Sequence, residues 1–99
     1  MWWARFAAPD KLRPVVLVSR EEAYARRRYV VVAAVTTRIR QIPAEVVLGT
    51  SEGLPRESVV NCDDLRTVPQ SILIERMGAL AGDRLRALDA ALRFSLGLD

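Results

Sequence analysis

The chain has 99 residues, 51% apolar and 27% charged, the make-up of a folded chain with one core and no room for a second. No stretch approaches eighteen apolar residues, which excludes a membrane-spanning helix, and the first residues lack the apolar segment of a secretory signal. With no histidine, one cysteine (Cys62) and a net charge of +3 carried by arginines and a single lysine (Lys11), the chain excludes an internal disulfide and histidine-based proton transfer, and points to an anionic partner in a reducing cytoplasm.

Residues 2–7 are short and aromatic and end before Pro9-Asp10, as a first strand would. Residues 8–13 make a turn. Pro14-Val15-Val16-Leu17-Val18 then opens with a residue that cannot donate a ladder hydrogen bond and continues as an aliphatic run. Proline fits the first residue of a strand, and an unbroken apolar run fits a strand buried on both faces. Arg13 therefore stands at the mouth of a buried strand, where a fixed cation suits a phosphate. Residues 20–24 are compatible with one or two helical turns, and Arg26-Arg27-Arg28 with a solvated loop.

Residues 29–35 are the longest apolar run, ended by Thr36-Thr37, and their β-branched density predicts a central strand. Alternation puts Val30, Val32, Ala34 and Thr36 on one face and Tyr29, Val31, Ala33 and Val35 on the other. Residues 38–43 form a basic connector carrying Arg38 and Arg40. A strand over 44–48 and a Gly-, Ser-, Thr- and Pro-rich loop over 49–55 follow. Residues 58–62 and 65–68 read as two further strands, Pro69 as the start of a short helix, and 75–80 as a last strand.

The tail changes period. Leu85, Leu88, Leu92 and Leu96 fall on one helical stripe, Asp89 and Arg93 are four apart with the acid first, and Gly97 suits the position after a helix. This helix is expected to cover the open face of the sheet, with Leu85, Leu88 and Leu92 in the core. Cys62 reads as a small buried residue. Trp2 and Trp3 alternate faces, one for the core and the other for base stacking or a subunit interface. The predicted class is a small, mainly β barrel with a C-terminal helix.

Five blocks occur in order: Trp2-Trp3-Ala4-Arg5-Phe6, Arg13-Pro14-Val15-Val16-Leu17-Val18-Ser19, Val31-Val32-Ala33-Ala34-Val35-Thr36-Thr37, Leu54-Pro55-Arg56-Glu57-Ser58-Val59-Val60-Asn61-Cys62-Asp63 and Leu65-Arg66-Thr67-Val68. Together they resemble the MazF/PemK (Kid) family of bacterial toxins over nearly the whole chain. The resemblance implies a mainly β, SH3-like (CcdB/MazF-type) barrel with a C-terminal α-helix, one toxin domain over 1–99, and a homodimer. It implies the toxin of a type II toxin–antitoxin system, a cytoplasmic endoribonuclease (mRNA interferase) that cuts single-stranded RNA at short motifs with no metal or other cofactor. The ribose 2′-OH attacks the adjacent phosphate, leaving a 2′,3′-cyclic phosphate and a 5′-OH. The expected protein partner is a cognate antitoxin with an acidic C-terminal tail.

The same resemblance carries the site. Arg13 matches the arginine of the family's Arg-Pro motif, and Thr36 the threonine that ends the central strand and pairs with it. Asn61, Cys62 and Asp63 fall where some members use an arginine and an aspartate; Asn61 replaces the arginine and Asp63 keeps the acid. Arg13 would stabilise the phosphorane first and donate a proton second, Thr36 would donate one hydrogen bond to a non-bridging oxygen, and Asp63 is the candidate base. Arg38, Arg40, Ser58 and Asn61 are the candidate RNA contacts.

Two features depart from the family pattern. The chain begins Met1-Trp2 where the family has an Arg-Gly-acid-aliphatic segment first, which implies an upstream start or a shortened first strand. The loop over 8–12 lacks the family's glutamate. Two alternatives stand beside this reading. One is a CcdB-like gyrase poison, which shares the barrel but acts through a C-terminal tryptophan that Leu96-Gly97-Leu98-Asp99 lacks. The other is a non-catalytic SH3-like module that binds RNA or peptide.

Overall fold

The computed structural model describes residues 1–6, 12–18 and 25–98. Among these, strands β1 (Trp2–Arg5), β2 (Leu12–Leu17), β3 (Tyr29–Thr36), β4 (Glu45–Leu48), β5 (Ser58–Pro69) and β6 (Leu73–Arg76) precede the helix α1 (Gly82–Ser95). The strands form one antiparallel sheet in the order β4-β5-β3-β2-β1-β6. Short 3-10 turns span Thr50–Glu52 and Gln70–Ile72, the second following Pro69 as its composition predicts. Of the expected turn over 8–13, residues 8–11 lie outside the described residues, as does the expected helix over 20–24; Leu12 and Arg13 belong to β2, paired with Arg5 and Ala4 of β1, so Arg13 lies within the strand and not in a turn before it.

β3 is central because it has apolar side chains to offer in both directions. Val30 and Val32 pack on one face with Ala4, Val15 and Val68. Ala33 and Val35 pack on the other with Val16, Val46, Leu48, Val60 and Cys62. The alternation predicted for this strand is the one observed. Each buried valine contributes about 1.5–3 kcal/mol relative to exposure, so β3 and its neighbours hold the sheet at its middle.

α1 covers the second of these faces through Leu88 and Ala91. The expected four-leucine stripe is only partly used. Leu85 is 53% exposed, and Leu96, beyond the helix end, is 56% exposed. The helix packs on the sheet through Leu88 and Ala91 and is tied to β5 at its last residue, Ser95, while Leu85 in its first turn stays exposed. It stops as its glycine predicts: Leu98 N–H donates to the Arg93 carbonyl (2.7 Å), Gly97 N–H to the Phe94 carbonyl (3.2 Å), and Gly97 has φ +70°. That paired pattern satisfies the last carbonyls of the helix and favours a residue without Cβ.

Several strand expectations differ in detail: β1 ends at Arg5 and not at residue 7, and β2 begins at Leu12, two residues before Pro14. Residues 58–62 and 65–68 belong to one strand, β5, bulged where Cys62, Asp63 and Asp64 have no partner on β3 between Asn61 and Leu65. The strand survives its two acids because Cys62 N–H still donates to the Ala44 carbonyl (2.8 Å) on the β4 side. The last strand runs over Leu73–Arg76 rather than 75–80. Gly78, at φ +114°, turns the chain out of the sheet.

Candidate active site

The site begins with a missing hydrogen bond. Val18 N–H donates to the Val31 carbonyl at 3.0 Å, which shows that the even-numbered residues of β2 turn their N–H groups toward β3. Ladder pairs run Leu17↔Val32, Val16↔Ala33 and Val15↔Ala34, and stop there. The next residue facing β3 is Pro14, level with Val35, and it has no N–H to give. Beyond that point Arg13 and Pro14 on one side, and Val35, Thr36 and Thr37 on the other, line a groove of about 210 Å³. Trp3, Leu54, Pro55, Arg56 and Ser58 complete its lining.

Continued two residues, the β2–β3 register brings Arg13 level with Thr36. Arg13 is exposed and Thr36 half-buried. Thr36 Oγ1 accepts the Arg38 backbone N–H at 3.1 Å, which leaves the hydroxyl proton available to a ligand. Ser58 lines the groove but is buried, and its Oγ donates to the Arg56 carbonyl at 3.1 Å. That bond fixes the turn into β5 and leaves Ser58 only acceptor capacity toward RNA.

The groove also holds residues that sequence reasoning did not assign. Arg56 faces it as a second cation. The available signal was its place in a matched block directly after a Gly-rich loop. Glu52 supports that loop: its Oε1 accepts the Gly49 N–H at 2.7 Å and its Oε2 lies 3.7 Å from Arg84 Nε on α1. Of the two tryptophans, Trp2 packs against the Ala4 cluster and Trp3 lines the groove.

The structure does not bring Asp63 into the groove. It sits on the β5 bulge, four residues past Val59, the partner of Thr36. Ser95 Oγ, at the end of α1, lies 2.7 Å from both Asp63 Oδ1 and the Cys62 carbonyl and shares its proton between them. Asn61, beside the bulge, is half-buried, and its Oδ1 accepts the Asp63 N–H at 3.0 Å. Arg38 and Arg40 lie on the connector that leaves Thr37, both exposed. Burial, and then the charge of Asp63, pushes the Cys62 thiol up to about 11, so it stays protonated and unreactive. Among the described residues no three His, Cys, Asp or Glu side chains gather as metal ligands would, and no helix is long and apolar enough to cross a membrane.

The chain as a whole has relatives. A family model described as PemK-like, MazF-like toxin of type II toxin–antitoxin systems matches residues 1–96. The chain belongs to this toxin family. The toxin is 41% identical over 97 residues to the probable endoribonuclease MazF5 of Mycobacterium tuberculosis, covering 97% of this chain and 88% of that protein. It is 36% identical over 90 residues to the endoribonuclease MazF3 of the same species, covering 91% and 87%. Among solved structures it superposes on the Mycobacterium tuberculosis toxin MazF-mt6 with a TM-score of 0.90 at 34% identity, over 99% of this chain and 96% of that one. A mycobacterial endoribonuclease in complex with its cognate antitoxin matches at 0.85 and 26% identity, over 99% and 93%. The six-stranded antiparallel sheet with one C-terminal helix is the fold of these toxins.

Proposed function

We propose that this endoribonuclease toxin cuts single-stranded RNA in the groove between the parted ends of β2 and β3. The ribose 2′-OH attacks the adjacent phosphorus, the bond to the leaving 5′-oxygen breaks, and the products are a 2′,3′-cyclic phosphate and a 5′-OH. The observation that supports this most is that Arg13 and Thr36 line one groove at the same level of the sheet.

A phosphorane carries more charge on its non-bridging oxygens than the diester it comes from. A guanidinium forks across two of those oxygens, and a hydroxyl reaches one. Both contacts strengthen as charge develops, so they lower the barrier and do not merely tighten binding. The 2′-OH gives its proton up to solvent water as it attacks, and Arg13 donates one to the leaving 5′-oxygen and regains it from water, so the protons balance with no side-chain base. The described groove lining has no carboxylate, and Asp63 is given no step. Without a positioned base the site forgoes much of the ~10²–10⁴-fold that acid–base catalysis supplies, so turnover is slow.

Arg56, Arg38 and Arg40 hold the RNA backbone, and Trp3 offers a face for a base. The same positive surface suits the acidic tail of an antitoxin. The exposed apolar side chains Leu85, Phe94 and Leu96 suit a homodimer, and the compartment is the cytoplasm, where messenger RNA is translated. The test is mapping of 5′-OH ends in total RNA after brief induction, with wild type and Arg13→Ala side by side. New ends at one short motif, lost in the variant while circular dichroism is unchanged, are expected. Cleavage by Arg13→Ala at the wild-type rate would refute the site, and inhibition of gyrase supercoiling instead of RNA cutting would refute the activity.

A further inference from the structure

Glu45 is a carboxylate beside a surface built to attract phosphate. The connector over 38–43 reaches it from Thr36 and hangs from two side-chain acceptors. Thr36 Oγ1 takes the Arg38 N–H. Glu45 Oε1 takes the N–H groups of Arg40 (2.9 Å) and Gln41 (3.0 Å). Gln41 has φ +57°, the only non-glycine positive φ among the described residues. A left-handed residue with a Cβ is strained and persists only where its surroundings hold it. Here two successive N–H groups converge on one oxygen, a small anion cradle filled by the protein's own acid. The Glu45 backbone N–H closes the loop by donating to the Ile42 carbonyl at 2.9 Å. Its second oxygen, Oε2, is buried and makes no hydrogen bond to the described residues. The carboxylate is therefore turned onto the connector's backbone and not out to solvent. The arginine side chains of the same connector are exposed and stand in solvent.

We propose that Glu45 is a positioning residue for RNA recognition. It does not touch RNA. It locks the connector so that Arg38 and Arg40, on the segment that leaves the groove at Thr37, meet RNA phosphates beside it. This rests on the reading of the groove as the RNA site. The alternative is that Glu45 is an ordinary acid on β4, and the two ideas predict opposite signs. Removing a negative charge near bound RNA tightens binding through charge alone. Unlocking the connector weakens it.

The experiment is steady-state cleavage of a fluorogenic RNA oligonucleotide carrying the mapped motif, at several salt concentrations. The variants are Glu45→Ala, Glu45→Gln, Arg38→Ala/Arg40→Ala and the triple combination, each with backbone amide exchange. Glu45→Ala is expected to raise KM about 5–10-fold with kcat within about twofold and to speed exchange at Arg40 and Gln41. It should also flatten the salt dependence by about 0.7 in log–log slope for each phosphate that the loosened arginines no longer neutralise. Glu45→Gln keeps an acceptor oxygen and should stay within about twofold of wild type. In the chain lacking both arginines, Glu45→Ala should add nothing, because residues that act through one another are not additive. An unchanged or lowered KM in Glu45→Ala, unaltered amide exchange, Gln as harmful as Ala, or full additivity would each overturn the assignment. So would an unchanged KM in Arg38→Ala/Arg40→Ala, which leaves the groove standing if Arg13→Ala still abolishes cleavage. Wild-type cleavage by Arg13→Ala would instead remove the groove itself.

Discussion

The bulge of β5 and the groove at the strand's entrance treat charge in opposite ways. At the bulge, polar groups meet partners within the protein. Asp64 holds Arg66 through two bonds of 3.0 and 3.1 Å, and Arg66 also lies 5.4 Å over the Phe6 ring. Asp63 meets Ser95, and Asn61 meets the Asp63 backbone. At the groove, a few residues back along the strand, the balance tips to arginine, and Arg56 shares the lining with Arg13 and no described acid. Charges that shape the fold are matched by acids nearby. On the proposed reading the described lining, with two arginines and no acid, suits RNA, because a carboxylate there would have to be displaced before RNA could bind.

That contrast can be broken by substitution, and the largest effect should fall at Arg13. Arg13→Ala is expected to lower kcat/KM by about 10³-fold or more, since a charged donor aimed at a transferring phosphate is worth at least what a neutral one is. Single-turnover cleavage with circular dichroism as the folding control decides it. Thr36→Val keeps shape and β-propensity but removes the hydroxyl, and a loss of about 10²-fold in kcat is expected. The smallest catalytic effect belongs to the bulge. Asp63→Asn should change kcat by no more than about threefold, while Ser95→Ala should cost about 1 kcal/mol of stability in denaturant melts. A hundredfold fall in kcat for Asp63→Asn would erase the distinction between the two regions and bring the acid into the chemistry.

The bulge also predicts a pH effect that the groove does not share. Folding raises the Cys62 pKa from 9.0 to about 11, so the native state holds a proton there that the unfolded chain has lost. Stability is therefore expected to fall as pH rises through that interval, and Cys62→Ala should flatten the decline. Thermal melts between pH 8 and about 11 would show it; parallel curves for both proteins would contradict the burial argument.

Much of this is legible in residue order. The unbroken apolar, β-branched run from Val30 to Val35 predicts a central strand, because a strand with apolar side chains in both directions is best buried on both faces. Gly97 predicts the helix end for a similar local reason. Leu85 misleads because helical spacing defines a stripe but not how far along it the sheet extends. Asp63-Asp64 suggests a break where β5 continues, since the bonds that tolerate the acids come from Ser95 and Arg66, one of them distant in sequence. Arg13 and Thr36 are found through a resemblance, while Arg56 and Glu45 need the folded loops. Their roles depend on what a turn places beside them, and neither residue type announces that.

Pro14 has one more consequence. It stands where the β2–β3 ladder ends and has no N–H to extend it, so the groove opens at an imino acid. Replacing it with alanine would return a donor to the Val35 side and let the seam zip further, trading a working aperture for a tighter sheet. If the groove is the cutting site, as proposed, a design that shifts this unzipped position along the strand should slide the cutting point with it.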